Sequence, residues 1–173
     1  MRRGGACSRL AEPHWNDPLD TSFSKQYGGR WNAPGSYGVL YLNMTDPIAR
    51  IRAEHLLAGH PYDIEDLDPA EQHDLVEVDV AATDALDLVS DEGLDAVGLP
   101  VSYPLDEEDE PIPRDQCHPV GQAAYDAPLP AIACRSAATG AKATDEELAV
   151  FDRDIHIVTQ TARRSFTDWY LGQ

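Results

Sequence analysis

The 173-residue chain is long enough for one domain with a buried core. Its 31 acidic and 13 basic side chains leave a formal net charge of −18, a surface that repels phosphate backbones and argues against nonspecific binding to DNA or RNA. No apolar run approaches the roughly 20 residues that cross a bilayer, and no apolar segment follows Met1-Arg2-Arg3, so a cytoplasmic protein without membrane span or signal peptide is expected.

Residues 1–8 should fray as an unanchored terminus, with Ser8-Arg9-Leu10 opening the first strand. Trp15 to Asp20 is a turn-rich connection, because Asp17-Pro18 disfavours a helical step, and Thr21 to Gln26 can form a short polar helix. The loop Gln26-Tyr27-Gly28-Gly29-Arg30-Trp31-Asn32-Ala33-Pro34-Gly35 follows. Its paired glycines free the backbone, a fixed cation comes directly after them, and Pro34-Gly35 makes a turn. Val39 to Leu42 has the β-branched and aromatic content of a short strand.

Thr45 and Pro47 resemble an N-cap and a first helical position, and Ile48, Ile51 and Leu56 or Leu57 give the next helix an apolar stripe. That helix should stop near Ala58-Gly59, and His60 to Asp74 should be acidic surface loop. Valines at 76, 78 and 80 alternate with acids at 77 and 79, which marks a half-buried strand. Leu86 to Val89 reads as a further short strand, and Ser90 as the cap of a helix from Asp91 to Val97. Residues 104–116 form an acidic surface loop around Asp106–Glu110, without the glycine-turned ligand spacing of a calcium loop. Pro119 to Asp126 can make one or two helical turns with Val120, Ala123 and Ala124 inward.

Ala131 to Cys134 is a buried strand that delivers Arg135-Ser136 at its end. Leu148 to Phe151 reads as a strand, although Thr144 and Glu147 have the spacing of a capping box. Ile155 to Val158 is a last apolar patch. Short strands and helices without a βαβ rhythm indicate an α+β fold.

Cys7, Cys117 and Cys134 are odd in number and widely spaced, against a disulfide framework or a CxxC zinc site, and no metal is expected. The GxGxxG, P-loop, HExxH and GxSxG patterns are all missing. What remains is Arg30 in its glycine loop, suited to gripping an anion or to one ordinary salt bridge, with Tyr41 on the following strand and Ser136 after a later one. Trp15, Trp31 and Trp169 are most economically packing aromatics, with Trp31 also able to flank the Arg30 site.

Asp17-Pro18-Leu19, Tyr27-Gly28-Gly29-Arg30-Trp31-Asn32 with Pro34-Gly35, the Val39–Leu42 strand and Cys134-Arg135-Ser136-Ala137 together resemble the RES family. The resemblance implies a single RES-like domain over residues 1–173. Its fold would be similar to ADP-ribosyltransferases, a core of short, mostly antiparallel strands with flanking helices. Members are toxins of bacterial toxin–antitoxin pairs that consume NAD by hydrolysis or phosphorolysis of its glycosidic bond, and some transfer ADP-ribose to protein. NAD as substrate, a cognate antitoxin as partner and no metal are therefore implied, with self-association left open. By the same resemblance Arg30 would hold the NAD phosphates and Arg9 would share that task. Tyr41 would line the nicotinamide-ribose pocket, and Ser136 would hydrogen-bond the nicotinamide side or the ribose. The family's glutamate would sit on the helix after Tyr41, where the slot falls on Arg52. The nearest acid is Glu54, two positions on, which is the candidate catalytic acid beside Arg30 and Ser136. A noncatalytic NAD- or ADP-ribose-binding module and a protein-modifying ADP-ribosyltransferase are the alternative readings.

Overall fold

The computed structural model describes residues 1–56, 61 and 66–172. Six strands and four α-helices follow in the order β1 (Arg2–Ala11), α1 (Ser22–Tyr27), β2 (Val39–Asn43), α2 (Asp46–Leu56), β3 (Asp74–Leu88), α3 (Asp91–Ala96), α4 (Arg114–Asp126), β4 (Ala131–Arg135), β5 (Glu146–Phe151) and β6 (Val158–Arg164). The strands form one mixed sheet in the order β1-β2-β5-β4-β3-β6, and β1 also pairs with β3. Only the β3–β4 pairing is parallel; the other pairings among the described residues are antiparallel.

The period-2 alternation of strands divides the interior into two apolar clusters. Leu40 and Leu42 of β2, Ala131 and Ala133 of β4, and Leu148 and Val150 of β5 pack with Val76, Val78 and Val80 of β3 on one side. Val39, Ile132, Cys134, Ala149 and Phe151 point the other way, against Trp31, Tyr103 and Cys117. Tyr41 and Glu147 share the parity of this second face, which also carries the candidate site residues of β2 and β5.

Residues 1–8 do not fray. They are part of β1, which runs antiparallel along β3 from Arg2↔Asp84 to Ala11↔Asp74, and the Met1 ammonium donates to Ala85 O at 2.9 Å. The two strands expected at Leu75–Val80 and Leu86–Val89 are one 15-residue strand, β3. α4 begins at Arg114 rather than Pro119, inside the stretch expected to be acidic loop, and it buries Cys117, Gly121 and Ala124 while Ala123 faces solvent. The acidic block itself is exposed, and Asp106 Oδ1 accepts from the Glu108 and Glu110 backbone N–H groups. Thr144 and Glu147 form no capping box, because β5 pairs with β2 and β4 on its two sides. Ser90 caps α3 as expected, accepting from Gly93 N. The expected stop of α2 at Ala58-Gly59, Leu57 and part of the His60–Asp74 loop lie outside the described residues.

Candidate functional site

The glycine loop is held by its own polar side chains. Asn32 is fully buried and donates through Nδ2 to Ser24 O at 2.7 Å and Tyr37 O at 3.0 Å. The Tyr41 hydroxyl donates to Asn32 Oδ1 at 2.8 Å and accepts from Trp31 N at 3.0 Å, so the strand tyrosine fastens the loop to β2. Burial pushes the Tyr41 pKa well above its ordinary value, against the opposing hydrogen bond from Trp31 N–H, which keeps the hydroxyl protonated as a donor. Gly29 is obligatory beneath this ring, because a Cβ there would meet the Tyr41 hydroxyl oxygen at 2.3 Å. Trp31 is buried below the loop against Tyr103, with ring centroids 5.8 Å apart. It is a packing residue, and it is not among the residues that line the cavity described next.

A cavity of about 290 Å³ opens beside the loop. It is lined by Arg9 of β1, Arg30 of the loop, Tyr41 of β2, Arg52 of α2, Arg114 of α4 and Glu147 of β5, with Trp15, Asp20 and Phe23 also contributing. An adjoining hollow of about 470 Å³ shares Arg9, Trp15, Tyr41, Arg52, Arg114 and Ala137 with it, and adds His55, His73 and Thr139. Four guanidinium groups therefore meet in one cleft of a chain whose net charge is −18.

Those arginines are incompletely satisfied. Arg9 Nε and Arg52 Nε are buried with no hydrogen-bond partner among the described residues. Arg9 lies over the Trp15 ring at 5.5 Å, and burial lowers its pKa to about 10, with Asp17 and Asp20 opposing that fall. Arg30 Nη1 donates to Ile112 O at 3.0 Å and contacts Cys117 Sγ at 3.8 Å, which ties the glycine loop to the start of α4. His118 Nε2 lies 3.0 Å from Gly29 O and reinforces that junction. A buried unpaired donor costs on the order of 1–3 kcal/mol. Arg9 and Arg52 both line the cavity, and planar guanidinium forks suit acceptor-rich anions, phosphate in particular.

Of the residues singled out in the sequence, Arg9, Arg30 and Tyr41 line the cavity directly. Ser136 sits behind it, 3% exposed, and its hydroxyl donates to Glu147 Oε1 at 2.5 Å. Glu54 is not brought to this group. It is exposed and accepts from the Tyr170 hydroxyl at 3.2 Å, whereas Arg52 turns inward. Two positions on a helix are about 200° apart, so a helix that aims residue 52 at the cleft aims residue 54 away from it. The expectation that Glu54 supplies the acid is therefore corrected. The buried carboxylate in the cavity is Glu147, whose Oε1 also receives Arg52 Nη2 at 2.6 Å.

Glu147 and Arg114 line the cavity and were not singled out in the sequence reading. Counting back in steps of two from Phe151 and Ala149 puts Glu147 on the inward face, and that alternation could have found it. Arg114 carries no such signal, since the acidic run before it reads as loop. Among the described residues no cluster of three or more His, Cys, Asp or Glu side chains could hold a metal ion, and no helix is long and apolar enough to cross a membrane.

Among solved structures, the fold is similar to the crystal structure of the M. tuberculosis MbcT–MbcA toxin–antitoxin complex, with a TM-score of 0.75 and 20% identity over 95% of this chain and 85% of that one. No curated protein matches the chain. The RES domain matches residues 6–168, which include every strand and helix described above except the first residues of β1, and the chain belongs to the RES domain family.

Proposed function

We propose that the arginine-lined cleft binds NAD and that the chain breaks the bond between nicotinamide and ribose. The observation that carries this reading is the convergence of Arg9, Arg30, Arg52 and Arg114 on one cavity, two of them with buried N–H groups left unpaired. A pyrophosphate offers acceptors to all of them, and a dinucleotide is long enough to extend from the Arg30 side into the adjoining hollow. Scission passes through an oxocarbenium-like state at the ribose anomeric carbon. The departing nicotinamide carries away the bonding electron pair, which neutralises its ring, so it needs no acid to leave. Water or phosphate then attacks the anomeric carbon. The arginines hold the phosphates and the carboxylate in the cleft opposes the developing positive charge.

This activity fits a core related to ADP-ribosyltransferases, a cytoplasmic toxin that depletes NAD, and a partner antitoxin that restrains it. The similarity to a toxin–antitoxin structure supports the last element. A noncatalytic binding module, the alternative that Arg52 suggests, accounts less well for a buried carboxylate inside the cavity.

The test is to incubate the purified full chain with NAD, with and without phosphate, and to follow free nicotinamide and ADP-ribose by chromatography. Release that disappears in Arg30→Ala supports the proposal. NAD left intact under both conditions overturns it, and ADP-ribose found on a macromolecule redirects it to transfer.

A further inference from the structure

Glu147 is buried, carries a full set of strand neighbours, and has its two hydrogen bonds on the same oxygen. Ser136 Oγ donates to Oε1 at 2.5 Å and Arg52 Nη2 donates to Oε1 at 2.6 Å. Oε2 has no hydrogen bond among the described residues, although Glu147 lines the cavity. A bidentate pairing of the Arg52 fork with both oxygens would be stronger than this one-oxygen contact. Here Arg52 Nε is instead left buried and unpaired. One carboxylate oxygen is clamped, and the other has no hydrogen bond among the described residues.

The strand register explains how the acid comes to be held there. Glu147 lies opposite Asn43 on β2 and opposite Cys134 on β4, in the middle of the sheet. Ser136 follows Cys134 by two residues, and its backbone N–H donates to Asp145 O, which fixes the hydroxyl beside the carboxylate. Arg52 reaches across from α2, where the RES-like pattern leads one to expect an acid. The helix thus supplies the cation and the strand the anion, and both meet in the cleft.

We infer that Glu147 is the carboxylate that stabilises and completes bond scission, with Ser136 and Arg52 as its positioning residues. This rests on the NAD-cleaving reading above. As the carbon–nitrogen bond lengthens, its electron pair leaves with nicotinamide and positive charge spreads over the ribose ring oxygen and anomeric carbon. Oε2 opposes that charge at short range. A water molecule then bonds to the anomeric carbon and gives one proton to the carboxylate, which passes it to solvent. The products are nicotinamide, ADP-ribose and one proton, and no oxidant or metal enters the step.

Glu147→Gln keeps the shape and the hydrogen-bonding capacity toward Ser136 while removing the charge. We expect it to lower kcat for nicotinamide release at least ~100-fold, on the scale of losing one preorganised electrostatic group, with the Kd for ADP-ribose changed by less than about threefold. Ser136→Ala should lower kcat more than it raises KM, whereas Arg52→Ala should lower kcat and also raise KM, because Arg52 faces the phosphates as well. Adding Ser136→Ala to Glu147→Gln should cost little further, because it acts through the carboxylate. If Glu147→Gln fails to fold, Glu147→Asp keeps the charge and withdraws it by one methylene. Normal melting with a tenfold or larger loss of kcat then supports the inference, and an undiminished rate overturns it. A Glu147→Gln variant that releases nicotinamide within a few-fold of the parent overturns the role of Glu147 and leaves the NAD reading intact. A parent chain that binds ADP-ribose yet releases no nicotinamide overturns both.

Discussion

The Tyr41 hydroxyl is the most informative single atom to remove. It fills two valences of the glycine loop, accepting from Trp31 N and donating to Asn32 Oδ1, and among the described residues Asn32 has no other partner for that oxygen. Tyr41→Phe retains the ring and its contact with the cavity but leaves one N–H and one amide oxygen unsatisfied in a buried setting. At on the order of 1–3 kcal/mol for each orphaned group, with some relaxation, the loss comes to about 2–4 kcal/mol. For a chain of this size that lowers Tm by roughly 5–15 °C. The loop that carries Arg30 would also lose its tie to β2, and a displacement of about 1 Å at a reacting site can cost ~100-fold in rate. Calorimetric melting and ADP-ribose titration of parent and variant provide both readouts. If Tyr41→Phe melts within about 1 °C of the parent and binds equally, the hydroxyl is no loop anchor. Tyr41 would then act only by lining the pocket, the role that the resemblance implied.

Gly121 of α4 lies so close to the loop that an added Cβ would sit 1.8 Å from Trp31 O. Gly121→Ala must push the helix and its Arg114 off the loop, and a loss of about 1–3 kcal/mol in a denaturation curve is expected together with weaker ADP-ribose binding. Arg9 holds a poorly compensated buried charge, so Arg9→Met should raise the melting temperature of the free chain while abolishing the shift caused by ligand. The parent, at a ligand concentration of 100 Kd, should gain about 2.7 kcal/mol in a thermal-shift assay. Burial alone would raise the Asp87 pKa, but hydrogen bonds from Ser90 and Val89 outweigh it and lower the pKa. Its contribution is therefore present above the ordinary carboxylate pKa of about 4 and is lost as pH falls through the lower folded value. Asp87→Asn should flatten that acid limb in urea midpoints measured from about pH 5 down to pH 2.

The strands buried on both faces were readable because that burial writes itself into composition. Val39–Leu42, Ala131–Cys134 and Leu148–Phe151 are nearly continuous apolar runs. β1 was not readable for the opposite reason. Arg2-Arg3-Gly4-Gly5 has neither alternation nor branched residues, and its order comes from a ladder with β3 about 70 positions away in sequence. Arg30 and Tyr41 were legible as part of a local motif, whereas the buried carboxylate beside them was not. Reading α2 in isolation led to Glu54, and only the phase of the helix shows that Arg52 holds the inward position. Glu147 was hidden behind a local spacing that suits a helix cap, which pairing on both sides of β5 overrides.

The order of strands across the sheet differs from their order along the chain, and this has a consequence for synthesis. β5 is wedged between β2 and β4, yet it is the fifth strand to be made. As the polypeptide emerges, β2 lacks a neighbour on one side for more than 100 residues, and Ser136 and Glu147 arrive well after Arg9 and Arg30. Under the proposed function, Arg9 and Arg30 are made before the carboxylate, and products that stop short of β5 lack Glu147 and should release no nicotinamide from NAD.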